Sequence, residues 1–322
     1  MNVTSPSDWL RFGMGGHNIE ANSILYHTLN QAISLAEALD DTANVSTWRD
    51  TAEGIKRAAN NLLWDEQEGL YRDNETTTLK PQDGNAWAVV ANLTLNAAQN
   101  ALISSRLSSR WTRYGAPAPE AADAISPFIS GFELQTHFLA QNTSAALALM
   151  RLQWGFMMDD PRMTNSTFIE GYSTTGQLHY APYNNDARIS HAHGWATGPT
   201  STLTQHVAGV QLLSAGGATW RIAPSLGDLK FADAGFSTKL GFFGARTQML
   251  GDGGGVVLDF ETPQGTTGEL RMPVLDCAGR VVMKGQGRLS DDHVVDVGKG
   301  GEAASVRGVA GGKWTATFQC LQ

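Results

Sequence analysis

Residues 25–39 read LYHTLNQAISLAEAL, and their apolar side chains recur at helical spacing. Leu25, Leu29, Ala32, Ile33, Ala36 and Leu39 share one face, while Asn30, Ser34 and Glu37 lie off it. The next periodic run, Thr47 to Leu63, sets Trp48, Ala52, Ile55, Ala59 and Leu62 on one face and closes through Trp64-Asp65-Glu66-Gln67-Glu68-Gly69-Leu70-Tyr71, a glycine-terminated helix end. Two amphipathic helices in succession make a helical hairpin. Further helical stretches are predicted at about 84–107, 129–141, 144–158 and 191–213, between loops carrying Pro81, Gly115, Pro117, Pro119, Pro127 and Pro161.

The pattern changes near residue 214. From about Trp220 it alternates, and Val256 to Phe260, Gly268 to Leu275, Arg280 to Lys284, His293 to Val297 and Lys313 to Cys320 read as short strands between glycine-rich turns. The sequence therefore divides into a helical part, 1–213, and an all-β part, 214–322, expected to be a sandwich. Gly251-Asp252-Gly253-Gly254-Gly255 leads into a strand rather than a helix, so it is read as a hairpin turn and not a phosphate loop.

Composition narrows the function. The chain has 322 residues, 42 % of them hydrophobic and 17 % charged, which supplies ample core and argues against disorder. Lys and Arg number 23 against 31 Asp and Glu, and no basic run occurs, so neither nucleic acid nor an anionic membrane surface is an expected partner. No apolar run approaches the roughly 20 residues that span a bilayer. Met1 to Ser7 has neither the basic nor the apolar region of a secretory leader. Asn2, Asn44, Asn74, Asn92, Asn142 and Asn165 each open an N-x-Ser/Thr sequon, an excess that marks a glycosylated, extracellular protein. With no leader in view, either the chain starts downstream of its natural beginning or the sequons are idle. Cys277 and Cys320 read equally well as buried small hydrophobes and as a disulfide tying back the last strand.

The chemistry concentrates in residues 163–200, MTNSTFIEGYSTTGQLHYAPYNNDARISHAHGWATGPT, which hold Glu170, Tyr172, His179, Tyr180, Tyr183, Asp186, His191, His193 and Trp195. Aromatic faces cover the apolar side of a pyranose, polar groups bond its hydroxyls, and a carboxylate moves a proton. His191-x-His193 has no third ligand at a readable spacing, so no metal and no cofactor is expected. No G-x-S-x-G elbow supports a serine triad.

Several short motifs, in order, resemble the C-terminal part of fungal α-L-rhamnosidases of glycoside hydrolase family 78. They are Asp8-Trp9-Leu10 before Gly15-Gly16-His17-Asn18-Ile19-Glu20-Ala21-Asn22; Trp64-Asp65 with Gly69-Leu70-Tyr71; Ser130-Gly131-Phe132-Glu133; Arg151 to Met157; Ser166-Thr167-Phe168-Ile169-Glu170-Gly171; Ser190-His191-Ala192-His193-Gly194-Trp195; and Ile222-Ala223-Pro224 with Gly227-Asp228-Leu229. The resemblance implies an (α/α)6 barrel followed by a C-terminal β-sandwich, and inverting hydrolysis of terminal α-L-rhamnose by two carboxyl groups roughly 6.5–9.5 Å apart. It makes Glu170 the general base, with Ile169 where a Trp often precedes it. It also makes His193, Trp9, His17, Tyr172 and Trp195 substrate-binding residues.

The family's general-acid motif lies upstream of the Asp-Trp segment and has no counterpart here. Residues 1–213 have room for about seven or eight helices against the twelve of a closed barrel. The expectation is thus a C-terminal portion of a larger enzyme, inactive alone unless Glu20 or Glu133 supplies the acid, and prone to associate through an exposed barrel edge. The competing reading is a non-catalytic rhamnoside-binding or interaction protein derived from such an enzyme. A glucoamylase-like enzyme fits less well, because here the β part follows the helices.

Overall fold

The computed structural model describes residues 1–322 except 6–8, 10, 123, 182, 252–253, 286–292, 301–302 and 322. Asp8 and Leu10 of the Asp-Trp-Leu motif, and Asp252 and Gly253 of the glycine-rich turn, lie outside the described residues. The chain forms two compact units, Met1–Pro199 and Thr200–Gln322.

The first unit contains three helical hairpins. They are α1 (Ile19–Ala38) with α2 (Val45–Leu62), α3 (Gln82–Val90) with α4 (Ala97–Ser108), and α5 (Pro127–Leu139) with α6 (Thr143–Leu149). α1 packs on α3 and α3 on α5, so alternate helices lie side by side. Each start has a local cause. The Asn18 side chain accepts from the Ala21 amide, and Pro127 supplies the fixed first residue of α5. The expected 84–107 helix is two, because Asn92 adopts φ 58° and Asn96 caps a fresh start by accepting from the Gln99 amide. The 144–158 stretch is α6 continued through a π-turn at Met150–Trp154 into α7 (Gly155–Asp159).

Periodicity placed the buried face of α1 only in part. Ile33 and Ala36 are buried with Val45 and pack against Trp48, whereas Leu25, Leu29 and Ala32 are half-buried and Leu39 is exposed. A second cluster joins Ile19, Ala59, Leu63, Leu70, Tyr71, Val89, Leu93 and Ile103, which ties the first two hairpins together. The hairpin strands β3 (Trp64–Asp65) and β4 (Leu70–Tyr71) turn through Gly69 at φ 66°, where an added Cβ would also strike Leu102 at 2.4 Å.

The 191–213 helix forms only over residues 198–207. Short helical turns at Gly194–Ala196, α8 (Gly198–Thr202) and Leu203–Val207 end at Gly209, and Val210–Leu212 is a strand. Pro199 sits in the first turn of this helix, where its missing N–H costs nothing, and Gly209 ends it; at Gly209 φ is 78° and a Cβ would meet the Ala223 backbone at 2.2 Å.

Among the described residues, the strands of the second unit join in one hydrogen-bonded sheet. Numbering the remaining strands in chain order, the short ones β1 (Val3–Ser5), β2 (Met14–Gly16), β5 (Ala124–Ile125) and β6 (Tyr172–Ser173) belong to the first unit. The sheet comprises β7 (Val210–Leu212), β8 (Thr219–Ile222), β9 (Phe231–Thr238), β10 (Gly241–Met249), β11 (Gly255–Pro273), β12 (Gly279–Gly285), β13 (His293–Val297) and β14 (Ala303–Cys320). Its order is β13-β12-β14-β11-β10-β9, with β8 parallel to the far half of β11 and β7 beside β8. β11 absorbs both strands expected at 256–260 and 268–275, because its ladder with β14 shifts register between Thr262 and Thr267 without breaking. Buried side chains from both halves, among them Trp220, Phe243, Phe260, Leu270, Val281, Trp314 and Phe318, form one core. Cys277 and Cys320 are joined as a disulfide that fixes the end of β14.

Candidate active site

Two segments of the first unit are stitched side by side. The Glu170 amide donates to the Ser190 carbonyl at 2.8 Å and the His193 amide to the Phe168 carbonyl at 2.9 Å, and the Thr167 hydroxyl donates to the His191 carbonyl. This clip sets the Glu170 carboxylate, 3 % exposed, among donors. The Tyr183 hydroxyl donates to Oε1 at 2.6 Å and the Ser190 amide to Oε2 at 2.9 Å, while His193 Nδ1 lies 3.8 Å from Oε2. The hydrogen bond to Glu170, with loss of hydration, pushes the Tyr183 phenol up to about 12, so it remains a donor. Trp195 Nε1 donates to the Glu170 carbonyl at 3.3 Å.

The aromatic wall follows from close backbone approach. A Cβ on Gly198 would lie 2.6 Å from Gly131 Cα, so two glycines let this loop settle on α5, and Trp154 Nε1 holds the Ala196 carbonyl at 2.7 Å. Trp195 thereby stacks on Phe128 at 4.9 Å between centroids, and His193 sits 4.2 Å from Trp195. These half-buried rings, with Tyr183 and Phe132, border a buried cluster that contains Trp9, Ile129, Tyr180 and Ile189. Glu170, His193, Trp195 and Trp9 are therefore brought together. Trp9 stands beneath the wall, 7 % exposed, with Nε1 donating to Asp83 Oδ2 at 3.1 Å.

The other two expected residues lie apart from these. Tyr172 is wholly buried in a separate core with Ile169, and its hydroxyl donates to the Tyr114 carbonyl at 2.6 Å, which leaves it a packing role. His17 is exposed and pairs with Glu75 at the rim of a groove of about 310 Å³ lined by Met1, Asn22 and the α2 residues Ile55, Ala58 and Leu62.

A buried ionic network below the wall escaped sequence reading. Arg11 reaches Asp83 at 2.8 Å, Asp73 at 2.7 Å and Glu20 at 3.6 Å, and Asn18 Nδ2 donates to Asp73 at 2.9 Å. Burial alone would depress the guanidinium, but Asp83 and Asp73 outweigh it and hold Arg11 charged. Glu133 accepts from Gln82 Nε2 and from Trp111 Nε1, each at 2.6 Å, with His137 Nε2 at 3.3 Å. Glu20 and Glu133, the fallback acids, are thus both tied into internal networks. Among the described residues no group of three metal-ligating side chains occurs.

Glu120 caps α3 by accepting the Gln82 and Asp83 amides at 2.9 and 2.8 Å. Complete burial, then the nearby Asp83 charge, push its carboxyl from an ordinary 4.5 up to about 8. The folded state then holds a proton that the unfolded chain has released. Stability should fall as pH rises from about 5 to about 8 and level off beyond, where both states are ionised. Thermal melts of the helical signal across that window check this, and Glu120→Gln should flatten the slope; parallel slopes in both proteins would count against it.

Residues 7–124 match a family model described as a mannosylglycerate hydrolase MGH1-like glycoside hydrolase domain. No curated protein matches the chain. Among solved structures, the chain is similar to a Streptomyces avermitilis α-L-rhamnosidase complexed with L-rhamnose, with TM-score 0.66 and 17 % identity over 97 % of this chain. It is also similar to α-L-rhamnosidases from Dictyoglumus thermophilum (TM-score 0.65, 16 % identity, 91 % of this chain) and Aspergillus terreus (0.62, 18 %, 88 %). The chain spans 29, 31 and 30 % of those three chains, so it shares the fold of a part of each.

Proposed function

We propose that this chain carries the water-activating and sugar-holding half of an inverting glycosidase acting on terminal α-L-rhamnosides. The observation that carries the reading is the Glu170 carboxylate, fixed by Tyr183 and Ser190 beside the His193–Trp195–Phe128 wall. Each carboxylate oxygen accepts one protein donor and keeps a lone pair for a water proton, as a general base requires. The stacked rings supply an apolar surface for one side of a pyranose, and His193 a hydroxyl partner. The leaving group's proton is assigned to another segment of a longer chain, since Glu20 and Glu133 are held in internal networks. Carriage outside the cell is supported by the Cys277–Cys320 disulfide and by the exposed sequons Asn2, Asn44 and Asn92; Asn142 and Asn165, by contrast, spend their amide N–H groups on Ser104 and on the Met158 and Asp160 carbonyls.

Calorimetric titration with L-rhamnose tests the reading. The chain should bind it saturably, and His193→Ala should weaken binding by roughly 1–3 kcal/mol, the cost of leaving a buried hydroxyl unpartnered. Equal affinity in both proteins would place the sugar elsewhere.

A further inference from the structure

The outward face of the sheet carries a second arrangement of sugar-recognising chemistry, wholly within the second unit. Gly235 of β9 and Gly244 of β10 are paired across the ladder, and both strands' outward side chains are absent at that point. The ring of Phe242 fills the gap. A Cβ on Gly244 would lie 2.5 Å from its Cε1, and a Cβ on Gly235 2.5 Å from its Cζ and 2.9 Å from its Cε2. The ring's long axis therefore runs along β10 from residue 242 towards 244, and its far edge runs across the strands from Gly244 to Gly235. Both directions lie in the plane of the sheet, so the ring rests flat on glycine backbone. Its other face is open, for Phe242 is 46 % exposed.

Polar groups edge this platform in register. Gly244 pairs with Glu261, which pairs with Lys313; one step along, Arg246 lies between Asp233 and Asp259. Asp259 accepts from Thr315 at 2.6 Å and Lys313 lies 3.4 Å from Glu261, so donors and acceptors alternate at fixed positions. Together they line a shallow groove of about 320 Å³. A flat aromatic face ringed by two cationic donors, Arg246 and Lys313, interleaved with three carboxylate acceptors, Asp233, Asp259 and Glu261, suits a neutral polyol whose axial hydrogens stack and whose hydroxyls both give and accept. An anionic or cationic ligand would meet like charge on one side or the other.

We propose that this face binds neutral saccharide, with Phe242 as the stacking platform and Arg246, Asp259, Glu261 and Lys313 as its hydroxyl partners. The site is independent of chemistry at Glu170.

Affinity electrophoresis of the whole chain through gels containing galactan, arabinogalactan or xyloglucan tests it. At least one of these should retard the chain. Phe242→Ala should weaken that binding by about tenfold, equivalent to about 1.4 kcal/mol of stacking. Gly244→Ala keeps the ring but lifts it from its floor, and should weaken binding similarly, while His193→Ala should leave it intact. Thermal melts control for folding; should Phe242→Ala unfold, Gly244→Ala decides alone. Wild-type migration unaffected by all three polysaccharides, or retardation unchanged in Phe242→Ala and Gly244→Ala, would overturn the proposal. Retardation abolished by His193→Ala would assign the binding to the first unit instead.

Discussion

Glu170→Gln should lower kcat/KM for α-L-rhamnosyl fluoride by about 10²–10⁴-fold, the usual contribution of a general base. Fluoride departs without a proton, so this substrate isolates the water-activating half of the reaction and needs no acid from elsewhere. The unsubstituted chain should release the sugar with inverted anomeric configuration, which NMR of the fresh product reads directly. The variant keeps the size and shape of the side chain. Its single carbonyl oxygen, however, can accept from Tyr183 or from the Ser190 amide and not from both, so a modest stability loss of about 1 kcal/mol is expected alongside. A thermal melt separates that loss from the kinetic one. Turnover within a few-fold of the parent would remove Glu170 from the reaction.

Arg11→Met should destabilise the helical unit by about 3–5 kcal/mol in urea unfolding followed by circular dichroism. The side chain is fully buried, and Met fills most of its volume, so the loss is electrostatic more than a cavity effect. Asp83, Asp73 and Glu20 would be left facing one another without a cation. Each would be relieved by protonation, so the deficit should shrink as pH is lowered towards the carboxylate range. Adding Asp83→Asn should recover part of the loss at neutral pH. A deficit below about 1 kcal/mol would mean that solvent reaches the network and screens it.

How much of this was legible in the sequence depended on range. Helix spacing located α1, α2, α5 and α6 because the period is a local property. It overran at 191–213, where only residues 198–207 form the helix and the start is set at Gly198 by contact with Gly131, a partner 67 positions away by number and invisible to any window. The polar and aromatic stretch 163–200 drew attention to Glu170, His193 and Trp195 together, and the resemblance, not the spacing, gave each its expected role. Tyr172 stands in the same stretch yet faces the core; two residues beyond Glu170, its side chain follows Ile169 rather than the carboxylate. The Arg11 network could not be read at all, since Arg11 meets Asp73 and Asp83 across 62 and 72 positions of chain. The strands β9 and β10 were also passed over, because Gly235, Gly241 and Gly244 blur their alternation.

The bonded pair of segments that bears Glu170 and His193 has an engineering consequence. Main-chain links hold them together, and those links are indifferent to side-chain identity. The Glu170 carboxylate and its imidazole neighbour therefore travel as one cassette: the two main-chain links keep their spacing when either side chain is exchanged. Lengthening or shortening either segment by a single residue would throw the other out of step. Homologous loops should accordingly be transplantable between proteins of this fold only as the complete 167–193 block.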